Sequence, residues 1–462
     1  MKNAKCVLAL MLTVLVVLGL TSCSSGSSSA VPAGQQGTVF VVGTDAPITL
    51  PSVVDFNVMV TDVTLSDGTT TANLLSGGPQ TVDFSRLVGV RTLLDLNSVP
   101  AGTYTQANVT LSTPMVTFLD TSVSPPKITT QGATLASANV TVQLPQQLTV
   151  TQSGLVGLLI DFHLANSLQI SGGTVTVNPM LTAKAVPSNA PDADIDDLVG
   201  AVVSTSGSTF VIQTPRGRKI TVVTNGQTDF EDNASVASLT TNTVVEVSGS
   251  LDPATLNLMA SEVEVVSTDG FYLEGLLTSV RQSPPNTQID VLVRREVPAL
   301  SSGSLAEGQI TTLNLNGSEK YRVRLFGFSI GTRLFDQNNL VAGQQIAVGG
   351  VVNSNPAGLS VHRVVLEPQG QIGTWVPGST NIAGGNTGNF KLTDDSLAGV
   401  LFNGPIEVFT FDLLTDFEGI SGLSSLTGQT AIPLRVRGLI LLDQATNSPA
   451  IIGFQVATPD SD

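Results

Sequence analysis

The side chains best suited to chemistry are scarce: 462 residues carry two His, two Cys and one Trp against 36 acids. Cys6 and Cys23 both fall in the first 23 residues, which leaves no downstream partner for a disulfide or a thiolate metal site. His163 and His362 stand about 200 residues apart, and no Gly-x-Ser-x-Gly elbow, paired-His zinc pattern or Gly-rich phosphate loop accompanies them. No catalytic residue and no resident cofactor is assigned. Hydrolysis by a carboxylate pair stays open as the weakest alternative, because 36 acids allow many spatial pairs and nothing picks one out.

Among the acids, Asp45, Asp62 and Asp161 sit at strand ends, where a carboxylate ordinarily forms a turn. His163 shares a face with Asp161 at i+2, a spacing that can orient an imidazole but is expected to serve packing. Asp229 and Asp416 are expected to be turn or cap residues. The densest cluster is Asp192, Asp194, Asp196 and Asp197, after the Pro187 to Pro191 break. Alternating aspartates offer hard oxygen ligands to Ca²⁺ at an interdomain joint. An EF-hand loop starting at Asp192 fails, since its sixth position is Asp197 and its twelfth Val203. A calcium site and a solvated, self-repelling linker both stay open.

Trp375, Tyr104, Tyr272 and Tyr321 are the whole Trp/Tyr supply. An aromatic platform for sugars would have to use them, and it predicts Trp375 or Tyr272 exposed in a cleft. The net charge of −16 becomes −18 without the first 22 residues, which hold Lys2 and Lys5. No segregated basic patch relieves that field, so nucleic acid is not an expected partner.

The elements that must position these residues read as strands. Charged residues are 12% of the chain, about half the usual share, and Gly, Ser, Thr and Val abound. Val54, Phe56, Val58 and Val60 alternate before the phase shifts to Val63 and Leu65, which predicts a strand with a bulge near Thr61-Asp62. Gly102 permits a tight turn before Tyr104, in a join typical of a β-sandwich. Strands are expected at 140–144, 154–164 and 173–177, and Ser85 to Leu94 is the one stretch that could hold a useful helix.

After residue 197 a pattern recurs three times. Each copy opens on a glycine with apolar alternation, at Gly200, Gly275 and Gly373. Midway comes Thr228-Asp229-Phe230-Glu231, then Thr332-Arg333-Leu334-Phe335, then Thr415-Asp416-Phe417-Glu418. Strands ending in Gly249, Gly350 and Gly438 follow, 21, 18 and 23 residues after the start of that motif. Such spacing argues for one duplicated unit, with an insertion in the second copy near Arg294 to Glu319. Phe230 and Phe417 are expected in barrel cores. The fold class is therefore all-β: an N-terminal immunoglobulin- or prealbumin-like sandwich and three small barrels of the oligonucleotide/oligosaccharide-binding (OB) type.

The chain opens with a positive Met1 to Lys5, an apolar run Val7 to Leu20, and Leu20-Thr21-Ser22-Cys23. The run is short of the ~20 residues a membrane span needs and sits where a signal's apolar region belongs. Leu20 to Cys23 resembles the bacterial lipobox, which implies cleavage before Cys23 and acylation there, palmitate included. The absence of Asp after Cys23, where Ser24 stands, favours the outer membrane in that family. The expected partition is signal 1–22, Ser/Gly tether 23–36, sandwich 37–187, acidic linker 188–197, and barrel modules 198–267, 271–368 and 370–458.

Two further resemblances follow. Thr44-Asp45-Ala46-Pro47, Pro100-Ala101-Gly102-Thr103-Tyr104, Asp161-Phe162 with Ser167, and Asn178-Pro179 to Ala183 resemble a bacterial lipoprotein domain family of unknown function, which implies a sandwich and no reaction. Gly200 with its Val run, Thr228-Asp229-Phe230 and Val245 to Gly249 resemble a second family of unknown function found repeated in envelope proteins. The expected role is structural, adhesive or interaction display on a lipid anchor at Cys23, with a protein or polysaccharide partner. A glycan-binding lipoprotein is the alternative.

Overall fold

The computed structural model describes residues 36–458 except 46–52, 88–90, 124–125, 191–192, 216, 231–233, 284–285, 299–304, 324–334, 355–356, 397, 403 and 444–445. The described chain is almost entirely β, and its first domain is a two-layer sandwich. One layer runs, in hydrogen-bonded order, Leu181–Pro187, Leu155–Phe162, Gln36–Asp45 and Thr92–Pro100; the two middle strands are parallel. The other centres on Val53–Ser66 paired with Gly102–Asp120. Val39, Val41, Leu158 and Ile160 of the first layer meet Phe56, Val58, Val60 and Val109 of the second in one core. The expected bulge is present, as a register shift between Val60 and Asp62.

The Gly102 join links the two layers: Thr92–Pro100 pairs with Gln36–Asp45, whereas Gly102–Asp120 pairs with Val53–Ser66, so the turn carries the chain between them. Tyr104 pins that corner by donating its hydroxyl to the Pro100 carbonyl at 2.9 Å, the device of a tyrosine corner. The 85–94 stretch forms a 3-10 turn at Phe84–Arg86 and then a strand from Thr92, not a helix. Leu94 packs into the sandwich core while Leu93 packs outward against the next domain, and burial on opposite faces suits a strand period of two.

Each later module is a five-stranded barrel. In the first, Ile195–Ser206, Thr209–Gln213 and Lys219–Val223 pair in sequence, and Val244–Leu251 pairs with the first strand and with Leu258–Ser267. A parallel contact between the third and fifth strands closes it. Gln369–Trp375, Thr387–Asp394, Ile406–Thr410, Pro433–Asp443 and Ser448–Ala457 repeat that order, with the same parallel closure. The second module has Phe271–Ser283, Asn286–Val297, Ile310–Leu315, Gln345–Ser354 and Ala357–Leu366, and its fifth strand takes Lys320–Val323 as a parallel neighbour. A 3-10 turn precedes each fourth strand, at Val236–Ser238, Gln337–Asn339 and Leu423–Leu426. In the first and third modules this strand order, 1-2-3-5-4-1, is the OB connectivity, and the second repeats its 3-2-1-4-5 path without a third-to-fifth ladder among the described residues.

Gly249, Gly350 and Gly438 share one cause. Each lies at a register shift of its fourth strand, and a Cβ there would press into a carbonyl of the facing fifth strand, at Met259, Ser360 and Ile452 respectively. The chain crosses so closely at these barrel bends that a side chain has no room.

Candidate functional site

Neighbouring domains share apolar seams. The outward face of the sandwich, Phe40, Val42, Leu93, Leu159 and Val186, packs into the first barrel against Ala193, Ile195 and Leu198. The first strand of that barrel begins at Ile195, inside the segment expected to be a linker. Asp196 is clamped to the sandwich: its carboxylate meets Arg91 Nε at 3.0 Å, and its amide donates to the Arg91 carbonyl at 3.1 Å. Arg218 reaches back to the buried Asp95 and to the Leu96 carbonyl. Val54 and Leu119 of the sandwich touch Leu276 and Leu292 of the second barrel, where Arg294 donates to Ser85 at 2.8 Å. Leu439 of the third barrel enters the core of the second.

The seam between the first and second barrels holds charge that sequence reasoning missed. Glu246, Glu264 and Glu367 are buried, with a carboxylate oxygen of each within 4.8 Å of the others; Arg363 reaches Glu264 at 3.5 Å. Beside them Glu274 accepts from Tyr272 at 3.1 Å and from Gln345 at 2.6 Å and pairs with Arg295, whose guanidinium lies 5.6 Å from the Tyr272 ring centre. Burial pushes the Tyr272 hydroxyl well above its ordinary range. The runs Val245-Glu246-Val247 and Val263-Glu264-Val265 read as strands with one wet face, and the neighbouring barrel covers that face.

The repeated middle motif has a structural job. Thr228 donates to the Ala260 carbonyl at 2.8 Å and accepts from the Asn225 amide at 2.9 Å. Thr415 does the same with Gly453 at 2.7 Å and Phe411 at 2.9 Å. In the second barrel the equivalent segment is Glu319 to Val323, because Lys320–Val323 pairs with the fifth strand where Asp229–Phe230 and Asp416–Glu418 do. The assignment to Thr332-Arg333-Leu334-Phe335 is therefore corrected. Residues 332–334 lie outside the described residues, and Phe335 is a core residue. Glu319 replaces the threonine hydroxyl with a carboxylate that accepts from the Asn316 and Gly317 amides at 2.7 and 2.9 Å. Phe230 and Phe417 are half-buried against their barrel cores.

A cleft of about 870 Å³ lies between the first and third barrels. One wall carries Asp194, Asp196 and Glu262, the other Asp412, Asp416 and Arg437, and Met259, Leu413, Leu414 and Phe454 add apolar surface. The Leu413 side chain is 93% exposed. Asp412 is held by the Asn386 amide, and Asp416 Oδ1 accepts from Phe417 N at 2.9 Å, so the second wall is preset. Burial raises the Asp194 carboxyl, with Arg91 opposing and Asp196 reinforcing the shift. Two of the four linker acids thus reach the cleft. Asp192 and the side chain of Asp197 lie outside the described residues.

Other expected positions are ordinary. Asp45 is buried and accepts from the Leu164 amide at 3.1 Å, capping a different segment from the one expected. His163 stands 3.8 Å from Asp161, and His362 is exposed and bonded to Asp269 at 2.5 Å. Trp375, Tyr272 and Tyr104 are buried and offer no open face to a sugar, and Tyr321 is half-buried. Cys23 lies outside the described residues. No helix among the described residues is long and apolar enough to cross a membrane.

These features define a class: an all-β protein with one sandwich and three OB-topology barrels knit by interdomain seams. Residues 36–179 match a family described as domain of unknown function DUF4382, and residues 199–264 match domain of unknown function DUF5666. No curated protein matches the chain. Among solved structures, "drosophila Unr CSD456" is similar at 11% identity over 55% of this chain and 94% of that one, with a TM-score of 0.15, a value that carries no argument about fold.

Proposed function

We propose that the chain is an exported, lipid-anchored protein of a bacterial envelope with a structural, adhesive or interaction-display role, held by acylated Cys23 and placed in the outer membrane. The recognition role is supported by the cleft between the first and third barrels, and the anchor by the lipobox-like Leu20-Thr21-Ser22-Cys23 after an apolar run. From Cys23 to Gln36, where the first strand opens, an extended chain reaches about 45 Å, enough to lift the domains off a bilayer. One acyl chain anchors reversibly, whereas two or three hold a protein of this size durably.

Binding to glycan through aromatic stacking is not favoured, since Trp375 and Tyr272 are 1% and 0% exposed. The deciding experiment is Cys23→Ala in the full chain. The native protein should enter the detergent phase and incorporate palmitate, and the variant should be released from membranes. A variant that stays membrane-bound, beside a native chain that takes up no lipid, would overturn the anchor.

A further inference from the structure

We propose that the cleft between the first and third barrels binds a basic peptide segment of a partner protein. This deepens the interaction-display role by naming the partner's chemistry. Among the described residues, Asp194 and Asp196 on one wall and Asp412 and Asp416 on the other bring four carboxylates to the cleft, where Glu262 and Arg437 also line it, each engaged with other groups. Arg91 neutralises part of the charge of Asp196, and the remainder still leaves an acidic trough in a chain of net charge −16. Low-dielectric walls of one sign focus the field and concentrate cations.

The distribution of the acids selects the kind of cation. A bound Ca²⁺ needs six to eight oxygens converging at about 2.3–2.6 Å. Among the described residues, the acids whose ligand atoms all lie within 4.8 Å of one another are Glu246, Glu264 and Glu367, in a different seam. The cleft carboxylates are instead spread over both walls of about 870 Å³, which fits several charges strung along a chain. Between them Leu413, Leu414, Met259 and Phe454 present apolar surface, against which the methylene stems of Lys or Arg can lie while their heads reach the acids. Neither residues 24–35, which carry no charge, nor residues 459–462, which hold Asp460 and Asp462, suit the cleft.

The test uses the full chain in a non-ionic detergent, so that anchoring and peptide binding are read separately; a failed Cys23→Ala release assay leaves this result standing. The probe is a labelled octapeptide of alternating lysine and alanine, followed by fluorescence anisotropy. Binding should be saturable, weaken from 50 to 200 mM salt, and fall at least fivefold in Asp412→Asn/Asp416→Asn. Both positions are exposed, and an unchanged melting temperature confirms the variant's fold. A distant pair, Asp67→Asn/Asp120→Asn, removes equal charge and should bind within twofold of native. Equal weakening in both variants, or none in the cleft variant, overturns the proposal. So does Ca²⁺ at micromolar levels raising the melting temperature through the cleft acids while the peptide fails to bind, since that outcome makes the cleft an ion site.

Discussion

At the scale of single residues, a half-buried acid shapes the response to pH. Asp394 accepts from the Ser396 amide at 2.8 Å and hydroxyl at 2.5 Å, yet burial outweighs those bonds and lifts its pKa from 3.8 to about 6. A carboxyl whose folded pKa is raised holds its proton in the native state after the unfolded chain has lost its own. Folding stability therefore falls as pH rises from about 4 to 6, and the loss, about 3 kcal/mol at most, persists above that range. Asp394→Asn should flatten this part of the profile and stabilise the protein at pH 7; urea midpoints at pH 4, 5, 6 and 7 for both proteins would show it. A variant with the native pH profile would mean that Asp394 titrates in the fold as it does in the unfolded chain. The position of this acid in the sequence gave no hint of its burial, because Thr393-Asp394-Asp395-Ser396 has the composition of an exposed turn.

At the scale of elements, the barrel bends make the sharpest prediction. Gly438→Ala should cost about 1–3 kcal/mol, because the added methyl must push apart two strands that meet at the Ile452 carbonyl. Ala in place of the open-turn Gly172 would strain only its positive φ of 58°, and a comparison of melting temperatures separates the two causes. An equal, small loss in both would refute the close crossing. These bends were legible in the sequence, since only one residue type fits and its spacing repeats. The middle motif was legible twice in three, because Thr228 and Thr415 keep a hydroxyl while Glu319 reproduces only its accepting half, with a carboxylate. Identity of role without identity of residue leaves no pattern to match.

At the scale of the whole molecule, outward-facing apolar residues join the domains. Phe40 is 1% exposed between the sandwich and the first barrel, with its ring lying over Gly157. Phe40→Ala should remove about 3 kcal/mol or more and uncouple the two domains, so that calorimetry resolves an added transition; a single cooperative transition with an unchanged midpoint would contradict the seam. The seams were not legible in advance. A strand buried on both faces reads as a continuous apolar run, as Val39-Phe40-Val41-Val42 does, but nothing in a linear chain says which domain will cover its outer face. The cleft was hidden for a related reason: its walls come from residues 194–262 and 412–455. That separation also has a consequence in time. During synthesis, at roughly 5–20 residues per second, the first wall emerges well before the second, so anything recognised across both walls can be bound only by a finished and fully folded chain. A copy truncated before residue 412 would lack the second wall, and with it any ligand that needs both, even with its sandwich intact.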